Sequence, residues 1–425
     1  MPLVIIVFVT ALFIGLPMAF VLGLGGLAHI IALNSPEYMS VITQRLFVGV
    51  NSYSLMCIPF FVLAGDLMNK GGITQRLLAF SREAIGWING GMAYCCVILA
   101  MVLSAILGSA NAVTAILCAI LIKEMANDGY DEDFTGSLVA ASGVLGPVIP
   151  PSVTFIIYGV LTGVSVQKMF VAGIVPGLLL GVGYMLVIRY YTKKRGYRRS
   201  KEKFELRSFC VALVKALPAL VVPFIIVGGI MGGVFTPTES GAIAVLAAIV
   251  ASLIYRTFDI KAMPGVLFNT GITTAGIMLI VAFGNIMGWT IAIDQIPAKI
   301  QEGILSVTDN PQLVMLLIIL ALIVIGCVME GFSAQYIFTP VLVPLATAVG
   351  YDPVHFGIVL CIMLTIGLIT PPVGMLLFVT SNISGIPLAR LSKSIAPFAL
   401  VAILVTVLLA YVPKLVMFLP ELMGL

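Results

Sequence analysis

The chain has 425 residues, 61% of them hydrophobic and 9% charged, with a mean hydropathy of +1.18. A soluble domain carries about 25% charged residues, so a water-soluble globule is excluded, and two histidines, His29 and His355, leave almost no material for zinc, haem or histidine-based catalysis. The net charge of +4 is concentrated, because nine of the 22 Lys and Arg lie between Arg189 and Arg207; the positive-inside rule makes that run a cytoplasmic loop rather than a nucleic-acid patch.

In chain order, the charge-free run 1–36 has no basic leading region and no small-residue cleavage site followed by soluble sequence, so it is expected to be a retained span. Residues 70–90 carry Lys70, Arg76, Arg82 and Glu83 among apolar neighbours and suit an amphipathic helix on the membrane surface, as do residues 296–309. Further charge-free runs are 169–188, 216–238, 262–293, 311–329, 331–351 and 394–413, and several fit one crossing of about 20 residues. The runs 84–122, 134–167 and 353–389 hold 39, 34 and 37 residues. As straight helices they would exceed roughly 50 Å, so they must double back as re-entrant hairpins or unwind partway. Their breaks are expected at Ser104–Asn111, Gly146–Ser152 and Gly367–Gly374, the last two carrying the proline pairs Pro150-Pro151 and Pro371-Pro372. Proline removes an amide donor and pushes its predecessor out of the helical region. Non-helical backbone at membrane depth survives only where protein or a wet cavity covers it, so these breaks point to a site. The seven cysteines, without paired spacing, read as buried packing thiols.

Adding 221 to residue numbers carries Gly129-Tyr130-Asp131 onto Gly350-Tyr351-Asp352, Gly146 onto Gly367, Pro150-Pro151 onto Pro371-Pro372, Ile174 onto Ile395 and Pro176 onto Pro397, without a gap. At that offset Ser109 meets Glu330 and Asn111 meets Phe332. The first copy ends in the basic run, whereas the matching end of the second, near 410–425, has only Lys414. An inverted repeat predicts that asymmetry, and paired Gly/Pro-interrupted segments in two halves point to a transporter's binding site.

Unwound carbonyls are dipoles able to coordinate a cation. One cage for Na⁺ is expected from the Gly146 and Ile149 carbonyls with the Ser104, Ser109 or Asn111 side chains. Its twin is expected from Gly367 and Thr370, facing the carbonyls from Gly326 to Glu330. Half-helix N-termini suit an anionic group. Ser152 and Val373 open the post-proline segments, with Thr114, Thr154, Ser333, Gln335 and Thr380 as polar contacts, and a carboxylate fits this arrangement. Glu330 is expected at the tip of the second hairpin. Thr236-Pro237-Thr238-Glu239 reads as a capping box first and a binding element second. Asp66 marks an interface end, and Lys168, Arg390 and Lys393 read as snorkelling anchors.

These residues resemble a known family. Phe235-Thr236-Pro237-Thr238-Glu239, Ile149-Pro150-Pro151-Ser152 with Tyr158-Gly159, Gly173-Ile174-Val175-Pro176-Gly177, Thr370-Pro371-Pro372-Val373-Gly374 and Ile58-Pro59-Phe60-Phe61-Val62-Leu63-Ala64-Gly65 are similar to the large (M, DctM-like) membrane subunit of tripartite ATP-independent periplasmic (TRAP) transporters, over nearly the whole chain. The resemblance implies an elevator-type secondary transporter of the bacterial inner membrane, multi-pass and driven by Na⁺, with two or more coupling ions and no organic cofactor. It also implies a small four-span membrane (Q) subunit, a periplasmic substrate-binding protein, and carboxylate substrates such as sialic acids and dicarboxylates. Carried over, the Na⁺ sites are Ser104, Ser109, Asn111, Gly146, Ile149 and Pro151 for one, and Gly326, Glu330, Gly367 and Thr370 for the other. Many members have Asp in a first-hairpin pattern like Gly-Ser-x-x-Ala-Asp, where Gly108-Ser109-Ala110-Asn111-Ala112 here leads to Val113.

The expected protein is an all-α polytopic membrane protein with inverted repeats, two re-entrant hairpins and unwound helices. Residues 1–90 form scaffold helices and an amphipathic arm, 91–188 the first transport repeat, and 189–310 the basic loop with connecting scaffold helices. Residues 311–410 form the second transport repeat and 411–425 a tail. The competing readings are a binding-protein-independent Na⁺/dicarboxylate carrier and, from another class, an intramembrane enzyme. The latter lacks a histidine at helical spacing from Ser109.

Overall fold

The computed structural model describes residues 2–33, 37–197, 199 and 203–425, and every regular element among them is helical. Arg198 and Lys201 of the basic run lie outside the described residues. The opening run is not one span. α1 (Pro2–Phe13) and α2 (Met18–Ala32) separate at Gly15, with φ of +82°, and at Pro17, and then pack on each other. A left-handed glycine followed two residues later by a proline ends the first ladder where hydropathy alone sees continuity. α3 (Glu37–Val50) and α4 (Cys57–Lys70) pass together as one candidate crossing, bent by 55° around the 3₁₀ turn Tyr53–Met56. α5 (Ile73–Ile85) is amphipathic and buries Ile73, Thr74, Leu77 and Ser81.

α6 (Gly91–Leu107) and α7 (Ala110–Asn127) are joined by two residues, Gly108 with φ of +59° and the extended Ser109. α8 (Glu132–Gly143) unwinds from Val144 to Ser152, and α9 (Val153–Thr162) resumes before α10 (Val166–Arg195), which runs through Pro176 unbroken. α11 (Leu206–Met231), α12 (Pro237–Ile254) and α13 (Met263–Ile293) are long and apolar. α14 (Ile296–Leu305) matches the second expected amphipathic arm. α15 (Pro311–Val328), α16 (Gly331–Ala348), α17 (Pro353–Gly367) and α18 (Met375–Ser384) repeat the α6–α9 arrangement. α19 (Leu388–Ser394) and α20 (Ala396–Tyr411) are bent by 47°, and α21 (Pro413–Leu422) closes the chain. By length and composition six helices can cross a membrane, or up to eight if each bent pair is one span.

The repeat is visible element by element. α7 moved by 221 residues is α16, and the ends of α6 and α15 coincide in the same register. The register then slips. Gly163 and Gly385, both left-handed at φ of +75° and +76°, are 222 apart, so the second copy carries one extra residue after its proline pair. Gly374, not Val373, therefore caps α18. Pro176 and Pro397 are back at 221, so the gapless expectation holds on either side of this stretch and fails within it.

Packing partners are exchanged between the copies. α7 lies on α18 and α16 on α9; α4 lies on α12 and α2 on α13. α8 begins beside the end of α10, where Arg195 Nη1 is 2.6 Å from Asp131 Oδ2, and Arg390 of α19 lies 2.6 Å from Asp133. α17 begins instead beside α9, which leads into the start of α10; there the Tyr158 hydroxyl donates to the Pro353 carbonyl at 2.7 Å. The matched helices α8 and α17 thus start from opposite ends of α10. Both are buried along almost their whole length; α17 is apolar nearly all round, whereas α8 buries Thr135, Ser137 and Ser142 among its small and apolar residues.

The capping box is as read. Thr236 Oγ1 accepts from the Glu239 amide at 3.3 Å, and Glu239 Oε2 accepts from the Thr236 amide at 2.7 Å. Thr236→Ala removes half of it and is expected to lower stability by about 1 kcal/mol, read as a lower Tm in detergent. Six cysteines are buried as expected, whereas Cys210, on the outer face of α11, is exposed.

Candidate functional site

The first break is built by its prolines. Pro147, Pro150 and Pro151 bring no amide hydrogens, and the 150–151 peptide is cis. Among the described residues no backbone amide donates to the carbonyls of Gly146, Ile149 or Pro151. Ser152 caps α9, its hydroxyl accepting from the Phe155 amide at 3.2 Å and donating to the Pro147 carbonyl. The α6–α7 turn sits directly on this segment. A Cβ on Gly146 would lie 2.7 Å from the Ser109 carbonyl oxygen, and one on Gly108 would lie 2.5 Å from that of Pro151. Backbone meets backbone at both places, which only glycine allows. Ser104, fully buried one turn before, donates to the Ala100 carbonyl at 2.6 Å.

The second break repeats this with different atoms. Gly367 faces Gly326, and a Cβ at 367 would lie 2.5 Å from the Gly326 oxygen. Thr370 donates to the Ile366 carbonyl at 2.9 Å, and no described backbone amide donates to the Thr370 carbonyl. Glu330 caps α16, where Oε2 accepts from the Ser333 amide at 3.0 Å and the Ser333 hydroxyl at 3.2 Å. Carbonyl and hydroxyl oxygens are available at each break, joined at the second by the Glu330 carboxylate, the ligand types a hard cation takes. Among the described residues no group of three or more His, Cys, Asp and Glu could hold a metal.

Between the breaks the copies touch. Gln335, fully buried on α16, donates from Nε2 to the Thr154 carbonyl of α9 at 2.9 Å, while its Oε1 has no partner. Its repeat equivalent, Thr114, is buried against Gly143 with an unpartnered hydroxyl. Thr380 is buried on α18, also with an unpartnered hydroxyl. Gln335 Oε1 and the Thr114 and Thr380 hydroxyls join the hydroxyls of Thr135 on α8 and of Tyr336 and Thr339 on α16 as buried polar atoms without a partner, an arrangement suited to a polar ligand. The Asn111 side chain is exposed, with Nδ2 3.7 Å from Met375 Sδ in the other copy. Thr236 and Glu239 lie apart, lining a cavity of about 570 Å³ with Ser52 to Ser54 and the α9–α10 loop. Arg390 is engaged by Glu132 and Asp133. Val113 is a buried core residue of α7.

Gly108 and Gly143, and likewise Tyr158 and Met375, carry no role of their own in the sequence, although Gly108 falls in the first expected break and Tyr158 in a family motif. The signal for the first two was available, since small residues recur where the repeat breaks. Tyr158 and Met375 act across the copies, which spacing along one chain does not reveal.

The family profile of the tripartite ATP-independent periplasmic transporter, DctM component, matches residues 5–415. The chain belongs to this family. The permease is accordingly one component of a tripartite transporter, a multi-pass membrane protein and not an enzyme. It is 37% identical over 412 residues to the sialic acid TRAP transporter large permease protein SiaM of Vibrio cholerae, covering 97% of this chain and 96% of that one. It is 36% identical to the 2,3-diketo-L-gulonate TRAP transporter large permease protein YiaN of Escherichia coli K12, covering 95% of each. Its fold is similar to the crystal structure of the Alcanivorax borkumensis YdaH transporter, with a TM-score of 0.64 at 15% identity over 97% of this chain and 98% of that one.

Proposed function

We propose that the permease takes up an organic acid across the bacterial inner membrane, coupled to Na⁺, with the substrate delivered by a periplasmic binding protein and a small four-span subunit beside its scaffold. The observation that carries this reading is the pair of repeat-related breaks, the first with the Gly146, Ile149 and Pro151 carbonyls undonated and the second with that of Thr370, each pinned by glycine to a helix turn. One ion is held by Gly146, Ile149 and Pro151 with Ser104, Ser109 and Asn111, and the other by Gly326, Glu330, Gly367 and Thr370. The names of SiaM and YiaN give sugar acids as the substrates of those proteins, and a carboxylate suits the N-termini of α9 and α18. Ser152, Thr154, Thr114, Ser333, Gln335 and Thr380 supply its polar contacts.

Transport is of the elevator type. Residues 91–188 and 311–410 move as one body against the scaffold of 1–90 and 189–310, with 411–425 as a tail. The two copies are inverted in the membrane, and α6–α7 and α15–α16 are its re-entrant hairpins. The exchanged packing of α7 on α18 and α16 on α9 favours such a single moving body.

The test is uptake into proteoliposomes holding the permease and its small subunit. Sialic acid, a diketo sugar acid and a four-carbon dicarboxylate are offered in turn. Accumulation is expected only with an inward Na⁺ gradient and the soluble binding protein present. Uptake without the soluble protein would move the assignment to a binding-protein-independent carrier, and uptake indifferent to Na⁺ would remove the ion coupling.

A further inference from the structure

The Gly-Tyr-Asp turn occurs at 129–131 and again at 350–352, and the two copies sit at opposite ends of α10. At the first, the chain supplies its own cation. Arg195 Nη1 lies 2.6 Å from Asp131 Oδ2, the Tyr197 hydroxyl donates to the same oxygen at 2.7 Å, and the Tyr130 and Tyr197 rings lie 4.4 Å apart. Tyr197 and then Arg195 hold the Asp131 carboxyl below the usual carboxylate range.

At the second turn the cation is missing. Asp352 Oδ1 accepts from the Val354 and His355 amides at 2.7 and 3.1 Å, and among the described residues Asp352 has no ion-pair partner. The position 221 after Arg195 is Val416, and Phe418 stands where the first copy has Tyr197. In place of a guanidinium there is a cavity of about 1030 Å³ between the α14–α15 loop, the α16–α17 turn and the α20–α21 corner.

That cavity is rich in acceptors. Asp309, Asp352 and Glu421 line it with exposed carboxylates. The Tyr351 and Tyr411 hydroxyls donate to the Pro311 and Gln312 carbonyls at 3.3 and 2.9 Å, leaving their oxygens able to accept. His355, 1% exposed, lines the same cavity and stacks on Tyr351 with centroids 5.8 Å apart. Its Nε2 lies 2.9 Å from the Leu409 carbonyl. A carbonyl only accepts, so Nε2 carries the proton and Nδ1, which has no partner, presents a lone pair. A buried acceptor without a donor is costly. A guanidinium carries five N–H donors and no acceptor, and its flat face stacks on aromatic rings; lysine offers a compact point charge and no such face.

We propose that this cavity is a socket for an arginine side chain of the soluble binding protein, supplying in trans what Arg195 supplies in cis at the other end of the molecule. The proposal rests on the tripartite reading above, which places a soluble partner on the face away from the basic loop.

The test uses the permease with its small subunit in lipid nanodiscs and measures affinity for the purified cognate binding protein at low and high salt. The double variant Asp309→Asn/Asp352→Asn is expected to bind about tenfold more weakly at low salt, with the gap narrowing as salt screens the pair. Asparagine still caps a helix, so an unchanged Tm separates lost docking from lost folding. Glu132→Gln, on the basic-loop face, is expected to bind as the wild type does. Asp352→Arg is expected to abolish binding, and a single arginine-to-glutamate change on the binding protein to restore it. Equal affinity of the double variant and the wild type overturns the socket alone. No binding by the wild type, together with uptake that needs no soluble component, overturns the socket and the tripartite reading together.

Discussion

Replacing Gly367 by alanine is expected to abolish uptake and to lower stability by about 1–3 kcal/mol, the range for forcing one extra methyl into a filled interior. The new Cβ would meet the backbone oxygen and Cα of Gly326. Backbone inside a helix cannot rotate aside as a side-chain end can, so the α15–α16 turn must lift away from the second break. Gly146→Ala, against the Ser109 carbonyl, is expected to do the same to the first. Gly276→Ala is the contrast. It lies inside α13 with open space around its Cβ, and alanine in a helix is favoured there by roughly 0.5–1 kcal/mol. Tm and proteoliposome uptake are measured on all three. Wild-type uptake by Gly367→Ala would show that the close contact of turn and break is not required for transport.

The second large effect is the response to sodium. A ligand that binds only the folded state stabilises it by about 2.7 kcal/mol at a hundredfold excess over Kd. The detergent-solubilised permease is expected to melt several degrees higher in NaCl than in choline chloride at matched ionic strength. The rise should saturate, and Ser109→Ala or Thr370→Val should each remove part of it. Thr370→Val keeps the shape of the side chain and deletes the hydroxyl that donates to Ile366, so a smaller rise in that variant separates the oxygen from the packing. Identical melting in the two salts would remove the sodium assignment. Proton coupling through Glu330 or Glu239 would then be tested with the corresponding glutamines.

Much of this architecture is legible in the sequence because prolines and charges act locally. Pro150-Pro151 and Pro371-Pro372 break their helices wherever they occur, and Glu239 three residues after Thr236 forms its cap without help from the fold. The first 36 residues show the limit. Their hydropathy is continuous, and only the pairing of Gly15 with Pro17 divides α1 from α2. The one-residue slip after the second proline pair escaped for a related reason, since the motifs on both sides keep the same offset. Asn111, two residues after Ser109, lies against Met375 of the other copy, a neighbour that spacing along the chain does not show. Gln335 is legible as a polar residue in an apolar run, but its partner, the Thr154 carbonyl, is a backbone atom that carries no mark in the sequence.

The exchanged packing of the two copies constrains how the protein is made. α9 rests on α16, and α7 on α18. A ribosome that has released only the first two hundred residues has therefore delivered two helices whose partners do not yet exist. The undonated carbonyls of Gly146 and Ile149 already have the α6–α7 turn beside them, but the Thr154 carbonyl waits for Gln335. Domains generally fold in order of synthesis, and here that order stalls at the midpoint. The halves resemble each other closely, yet neither is a finished object, and the nascent chain completes its first half only by synthesising its second.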